Sequence, residues 1–549
     1  MDAPETSTLQ VDATAPADAV AERIVLDGYT LSPADVARVA SRPGSFALAL
    51  SSDAAVRMKA SVRVKEQMID SGIPIYGVTT GFGDSSGRQV GAAKTAELQR
   101  NLLRFLRVGV GPVAAPEVIR ATMLIRANCA ARGNSAIREE LVRLILDLLE
   151  HDVLPQIPER GSVGASGDLA PLSYLAAALT GEGQVRWNDF TTTAAEALRA
   201  NGLQSLELQA KEGLALVNGT SFMAAFATLA LTEATEIAWA AELCTAFATE
   251  VRGGSRDQFS AFPHLHKPHP GQITSAVGIS DLLEGSALAV GDDDLMAAGL
   301  SGDQTYLELE QRIQEPYSIR CAPHVIGVLR DTMGWVEQWM EREINSSNDN
   351  PLFDAEAGRV HNSGNFYGGH VAHAAQALST ATASVADLLD RQLALLVDEK
   401  FNRDLTPNLI ARVAPDHPAA GVHHGFKGAQ IAASALTAEA LHLATPAGSF
   451  SRSTEAHNQD KVSMGTIAAR HARTVGQLVT EVTAIHLLAL CQAADIVGPE
   501  RLGRHTARAH AAVRAGIPTV EQDRPMDLEI QAVAEMLRTG ALRAAVTGS

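Results

Sequence analysis

Beyond Ser205 the apolar positions recur at helical spacing over long segments: Phe222 to Thr249, Val325 to Glu343, Val371 to Leu396, Gly428 to Leu443 and Gly465 to Gln492. Each is long enough for roughly four to eight helical turns. Pro or Gly clusters separate them, so the pattern predicts parallel and antiparallel bundling. Several carry alanine on more than one face, as in AHAAQALSTATASVADLL from Ala372 to Leu389. A helix apolar around most of its circumference is buried by neighbours on several sides, in a large single-chain core or between subunits, and we read the pattern as favouring an oligomer. From Ser32 to Gly183, by contrast, short amphipathic helices alternate with glycine-rich loops, chiefly Ile75 to Gly87 and Arg160 to Asp168. The expected organisation is mainly α. A disordered tail over residues 1–20 precedes a smaller mixed N-terminal domain over 21–204, and a long helical bundle with C-terminal helices fills 205–549.

Composition narrows the setting. The 549 residues suffice for a large core, and length alone allows about three or four domains, which a bundle can merge. Lys and Arg number 45 against 63 Asp and Glu, net −18, with no long basic run. Nucleic acid and anionic membranes are therefore not expected partners. Cys129, Cys244, Cys321 and Cys491 are scattered without CxxC spacing, which suits a reducing cytoplasm. No basic patch leads into an apolar core at the N-terminus, and Glu233, Glu236 and Glu242 interrupt the apolar stretch Phe222 to Thr249. Neither a signal peptide nor a membrane span is expected.

Familiar site motifs do not fit. GFGDSSG (Gly81 to Gly87) lacks the flanking strand and helix of a dinucleotide site, and GASGD around Ser166 is neither a GxSxG elbow nor a phosphate loop followed by Lys. His264, His266 and His269 cluster in HLHKPHP, where the prolines predict an extended loop and no metal site is assigned. Ala165-Ser166-Gly167 offers different chemistry. If the Gly167 nitrogen attacks the Ala165 carbonyl and Ser166 loses water, the backbone becomes a five-membered ring with an exocyclic methylidene. Gly167 has no Cβ to block that approach, and Ser166 supplies the hydroxyl to be eliminated. By itself the tripeptide also reads as a glycine-rich turn ahead of a helix, with Pro171 in the first turn.

The surrounding chain decides between these. IYGVTTGFG (Ile75 to Gly83), LQRNLLRFL (Leu98 to Leu106), GSVGASGDLAPL (Gly161 to Leu172), KEGLALVNGTS (Lys211 to Ser221), PYSIRC (Pro316 to Cys321), INSSNDNPL (Ile344 to Leu352), SGNFYG (Ser363 to Gly368), GFKGAQ (Gly425 to Gln430) and HNQDKVSMG (His457 to Gly465) together resemble the aromatic amino acid ammonia-lyase and aminomutase family. The resemblance runs over about residues 25–500. It implies an all-α fold with a long central bundle, a homotetramer with shared active sites, and a 4-methylidene-imidazol-5-one (MIO) group made from Ala165, Ser166 and Gly167. No metal or nucleotide cofactor is implied. Plant and fungal relatives are much longer, so the chain resembles the compact bacterial form without their added lid domain.

Residue roles follow from the same resemblance. Tyr76 matches the base that removes a β-hydrogen. An unperturbed phenol has a pKa of about 10, so holding phenolate at neutral pH costs about 4 kcal/mol that nearby positive charge or donors must offset. Gly77, Gly81 and Gly83 let its loop close over substrate. Arg320 matches the residue that grips the substrate carboxylate with a planar fork. Gln314 and Asn350 match polar residues near substrate and ring. Asn218 and Tyr317 match residues that hold the ring, Tyr317 also assisting proton movement, and Phe366 packs against it. Before Tyr317 the chain reads QEP where the family more usually has QDA or QDR.

Phe105-Leu106 stands where tyrosine-preferring relatives commonly have His-Leu and histidine lyases Ser-His. An apolar Phe105 offers no partner to a substrate hydroxyl, whose unpaired burial costs about 1–3 kcal/mol. Lys427 and Gln459 also match the aryl lyases rather than the histidine lyases, and Glu455 contributes to the amine side of the pocket. The expected substrate is L-phenylalanine, bound through its carboxylate by Arg320 and converted to trans-cinnamate and ammonia. A 2,3-aminomutase making a β-amino acid uses the same residues, and a noncatalytic helical scaffold is the remaining alternative.

Overall fold

The five periodic segments are each a helix in the computed structural model, which describes residues 22–296, 300, 303–308 and 313–548. The expected tail over residues 1–20 lies outside the described residues. The helices are α1 (Ser221–Val251), α2 (Ala322–Ile344), α3 (Gly369–Val397), α4 (Lys427–Leu443) and α5 (Gly465–Val497). All five extend past the spacing that predicts them, α2 and α5 the furthest. Pro323 occupies the first turn of α2, where no N–H is needed, and α5 continues to Gly498, whose φ of 98° ends it.

Direction along the bundle is set by contacts at both ends. A Cβ on Gly368 or Gly465 would fall within 2.3 or 2.5 Å of Met223 Sδ, so the N-termini of α1, α3 and α5 meet. Far along the same helices Gln392 of α3 donates to Thr245 of α1 at 2.9 Å. These three therefore run parallel. Thr220, just before α1, donates to Glu343 at the C-terminal end of α2, so α2 is antiparallel to them. The Ser434 hydroxyl of α4 donates to Asp390 of α3 at 2.6 Å, while Gly448 beyond α4 approaches Gln376, so α4 is antiparallel too.

The N-terminal part is mixed, with the parallel pair Glu22–Leu26 and Phe46–Leu50 and a small antiparallel sheet of Leu154–Pro155, Gln184–Trp187 and Phe190–Thr193. Its helix Pro116–Ala131 packs along α1. One apolar core runs without a break from Ile24 to Val546. α1 is buried continuously over 221–231 and 240–251, and most of the alanine-rich face of α3 is buried as well. Alanine on several faces thus reflects burial within one chain, and that pattern alone does not require a second copy. α5 is long and apolar enough to cross a membrane, yet α1 and α3 cover it and it is a core helix.

The HLHKPHP segment departs from the expected extended loop. Residues Ala261–Leu265 form a short helix, and Pro270 opens another, Pro270–Leu282. Pro is tolerated there because first-turn amides have no intrahelical partner. His264 is buried between the Gln258 carbonyl at 3.2 Å and the Gln272 amide at 3.0 Å, and His266 turns back to the Phe262 carbonyl at 2.8 Å.

His486 lies deep in α5, fully buried, with neither ring nitrogen hydrogen-bonded among the described residues. Burial lowers its pKa from 6.5 to about 3. The folded state keeps the ring neutral while the unfolded chain takes up a proton below about 6.5, so stability is lost as pH falls through that window. His486→Leu is expected to shrink the drop in thermal midpoint between neutral and mildly acidic buffer. An unchanged drop would assign the acid sensitivity to other groups.

Candidate active site

Ser166 lies where the bundle ends. Asn218, which precedes α1, donates its side-chain amide to the Ser166 carbonyl at 2.9 Å, and Gln459 donates Nε2 to Ser166 Oγ at 3.3 Å. Gly167 has φ of 71° and pairs with Gly219 through an isolated parallel bridge, with the Asp168 amide donating to the Gly219 carbonyl at 2.7 Å. A Cβ on Gly167 would fall 2.0 Å from that carbonyl oxygen, so only glycine allows this approach. Ala165 and Ser166 are half-buried. The N-termini of α1, α3 and α5 converge here, each bringing a partial positive charge of roughly half a unit. Unbranched backbone, a held carbonyl, a contacted hydroxyl and positive potential all fit a ring built from these three residues.

Asp168 ties the tripeptide to two of those helices. Its carboxylate accepts from the Met223 amide at 2.8 Å and the Thr466 hydroxyl at 2.5 Å. Burial raises its pKa to about 6, against the pull of those donors. Asp168 stands at the N-cap position of the helix Leu169–Leu179 without its side chain capping it.

Tyr76 approaches from the N-terminal part. Ile75 and Val78, both buried in a small separate cluster with Phe353, anchor its loop, and the phenol oxygen accepts from the Gly83 amide at 2.9 Å. Glu455 accepts from the Asp84 amide at 3.0 Å, and a Cβ on Gly83 would collide with its carboxylate. Glu455, Ala456 and His457 all have positive φ, in a turn closed by mutual backbone bonds between Thr454 and Gln459. That turn links Tyr76 to Ser166 through Glu455 and Gln459. The electrostatics differ from expectation. Burial pushes the Tyr76 phenol above its ordinary value, the Gly83 amide opposes this, and the Glu455 carboxylate adds to the rise. Phe105 is 57% exposed with its ring 6.5 Å from Phe82, and Leu106 is half-buried beside it.

Asn350 and Phe366 border the same end. Asn348 donates to Thr220 at 2.8 Å, Lys211 forms a fully buried pair with Asp349 at 2.6 Å, and Asn350 accepts from the Ser363 amide at 2.7 Å. Phe366 is half-buried two residues before Gly368. KEGLALVNGTS and INSSNDNPL are therefore clamped together by the buried Lys211–Asp349 pair.

Tyr317, Arg320 and Lys427 are elsewhere. Gln392 joins Thr245 to the Ser318 carbonyl, at 2.9 and 2.8 Å. Thr245 lies 24 residues beyond Ser221, which at the helical rise is about 36 Å along the axis. Arg320 stacks on the Tyr317 ring at 4.6 Å, Tyr317 is 72% exposed, and Gln314 is exposed. Lys427 opens α4 at this same distant end, where α4 meets Asp390. Glu315, the departure in QEP, is buried and pairs with both Arg252 and Arg403, fixing the chain just ahead of Tyr317. One chain thus brings Asn218 and Gln459 to the tripeptide, links Tyr76 to them through Glu455, sets Phe105 against Phe82, and leaves Gln314, Tyr317, Arg320 and Lys427 apart.

Gly167→Ala tests the backbone contact. The methyl would strike the Gly219 carbonyl, with an expected loss of stability on the order of 1–3 kcal/mol and faster hydrogen exchange of the Asp168 amide. Wild-type exchange at that amide would show that the strand-like pairing does not depend on glycine.

Comparison with known proteins places the chain in a family. The aromatic amino acid lyase family matches residues 31–515. Tyrosine ammonia-lyase of Cupriavidus metallidurans is 41% identical over 530 residues, spanning 95% of this chain and 98% of its own length. Histidine ammonia-lyase of Shouchella clausii is 36% identical over 523 residues, spanning 95% and 99%. The MIO-dependent tyrosine 2,3-aminomutase of Streptomyces globisporus is 37% identical over 528 residues, spanning 95% and 96%. A solved structure of tyrosine aminomutase from that organism superimposes with a TM-score of 0.89, covering 96% of this chain and 98% of its own. The chain belongs to the aromatic amino acid lyase family and so to the carbon–nitrogen lyases.

Proposed function

We propose that the protein eliminates ammonia from L-phenylalanine to give trans-cinnamate, using an MIO ring formed by its own Ala165, Ser166 and Gly167. The observation that carries this reading is the meeting of Asn218, Gln459 and three helix N-termini at Ser166, with Tyr76 linked to it through Glu455. When formed, the ring supplies an electrophilic carbon that makes the substrate amine a better leaving group. Tyr76 takes the β-proton, Glu455 faces the amine, and Asn218 holds the ring carbonyl. Gln459 and Asn350 give polar contacts, and Phe366 packs on the ring.

Arg320, Tyr317, Gln314 and Lys427 reach this site from other copies of the chain, in a homotetramer. The separation of about 36 Å along the bundle supports this, since no side chain spans it. Ile431, Ala432, Ala435, Ala438 and Leu441 also leave an exposed apolar stripe along α4, at helical spacing, suited to contact between copies. Arg320 then binds the substrate carboxylate and brings the positive charge that Tyr76 lacks within its own chain. The four cysteines are free, which suits a cytoplasmic setting.

Phe105 and Leu106 form the apolar end of the pocket, near Phe82. They favour an unsubstituted aryl ring over a phenol or imidazole, whose polar atoms would be buried unpaired. Resolving the products from L-phenylalanine, L-tyrosine and L-histidine tests this reading. Cinnamate is expected as the main product, with phenylalanine consumed fastest. Mainly β-phenylalanine would make the protein an aminomutase, and faster turnover of tyrosine or histidine would overturn the argument from Phe105.

Shared sites predict complementation. Ser166→Ala and Arg320→Lys homotetramers are each expected to lose activity by about a hundredfold or more. Mixed tetramers made by co-expression regain part of it, because some sites then combine an intact tripeptide with an intact Arg320. No recovery in verified mixed tetramers would place both residues in one chain's site.

A further inference from the structure

A buried cation lies beneath the tripeptide. Arg126, on the helix Pro116–Ala131, is 1% exposed and donates Nη1 to the main-chain carbonyl of Asn218 at 3.0 Å. Its Nε and Nη2 are buried with no hydrogen-bond partner among the described residues, and it forms no ion pair with them. A guanidinium carries five donors and is held in most interiors by carboxylates. This one is directed at a single peptide group.

The next peptide along, Gly219–Thr220, grips the tripeptide through its carbonyl, which accepts from the Asp168 amide. A Cβ on Gly219 would fall 2.1 Å from Arg126 Nη1, and one on Gly167 would fall 2.0 Å from the Gly219 carbonyl oxygen. Guanidinium, Gly219 backbone and Gly167 backbone therefore stack in layers with no side chain between them. Asn218, whose carbonyl receives Arg126, is also the residue whose side-chain amide donates to the Ser166 carbonyl.

We propose that Arg126 is a positioning residue for ring formation: it fixes the Asn218–Gly219 peptide and places positive potential behind the Ser166 carbonyl. This rests on the ring reading given above. Ring closure forms a bond from the Gly167 nitrogen to the Ala165 carbonyl carbon, and that oxygen leaves as water with two protons. Ser166 then loses its Cα proton and its Oγ as a second water, leaving a carbon–carbon double bond, with no oxidant or reductant involved. As the Cα proton departs, the electron pair is shared with the Ser166 carbonyl oxygen. That oxygen is where the Asn218 amide acts and where a buried charge has its greatest effect.

The test follows maturation separately from catalysis. Full-length wild type, Arg126→Met and Arg126→Lys are produced in parallel with Ser166→Ala as the unmodified reference. Intact mass reports the loss of two waters over time, near-ultraviolet absorbance reports the conjugated ring, and circular dichroism checks the helices. Arg126→Met is expected to mature about tenfold to a hundredfold more slowly with its helices intact, and Arg126→Lys to recover most of the rate. Maturation of Arg126→Met at the wild-type rate would overturn the proposal. If that variant loses its helices, Arg126→Gln, which keeps a donor without the charge, decides in the same way. A wild-type protein that retains both waters would instead refute the ring itself.

Discussion

The contact between Gly167 and Gly219 leaves no space for a side chain on either strand, and the site is arranged around it. Because Gly219 immediately precedes Thr220 and α1, bringing it against Gly167 delivers the start of the first bundle helix to the tripeptide. Asp168 extends the tie to Met223 of α1 and Thr466 of α5. Close backbone packing thus converts three parallel helices into one region of positive potential, suited to the developing negative charge of the proposed reaction. The arrangement is rigid because every member is held by a helix or by a buried polar contact.

The same parallel bundle separates the chemical groups it carries. α1, α3 and α5 place Ala165-Ser166-Gly167 at one end and the Tyr317–Arg320 segment about 36 Å along α1, with Lys427 towards that far end. Length is therefore a functional property of these helices. Within one chain the Tyr76 phenol faces burial and a carboxylate, both of which favour its protonated form. Under the proposed function, a base in that position needs positive charge from outside the chain, and the exposed Arg320–Tyr317 pair of another copy is the group proposed to supply it.

Legibility in the sequence varied with the kind of interaction. The bundle helices are readable because a buried helix repeats its apolar positions, and their ends are displaced most where Pro323 or Gly498 sets the boundary. Ala165-Ser166-Gly167 stands out by the chemistry its residue types allow, while Tyr76 and Asn218 are legible only through the motifs that resemble a known family. Glu315 showed only as a departure from a familiar pattern, and its meaning came from Arg252 and Arg403, distant in the chain. Arg126 sits in an ordinary helical segment with no marker of its own. HLHKPHP misled because proline excludes a helix interior but not a first turn.

What the amino-acid sequence by itself determined is the helical frame, the candidate tripeptide Ala165-Ser166-Gly167 and the family, since periodicity and short motifs are properties of neighbouring residues. Only the tertiary structure decided which motifs share a site, because helix direction and length are set by packing across the whole chain. It put Gln459 and Glu455 beside Ser166 and Tyr76, sent Arg320 and Lys427 to the opposite end, and set a charged Arg126 behind the tripeptide. Those placements depend on contacts between residues far apart in the chain, which no local pattern records.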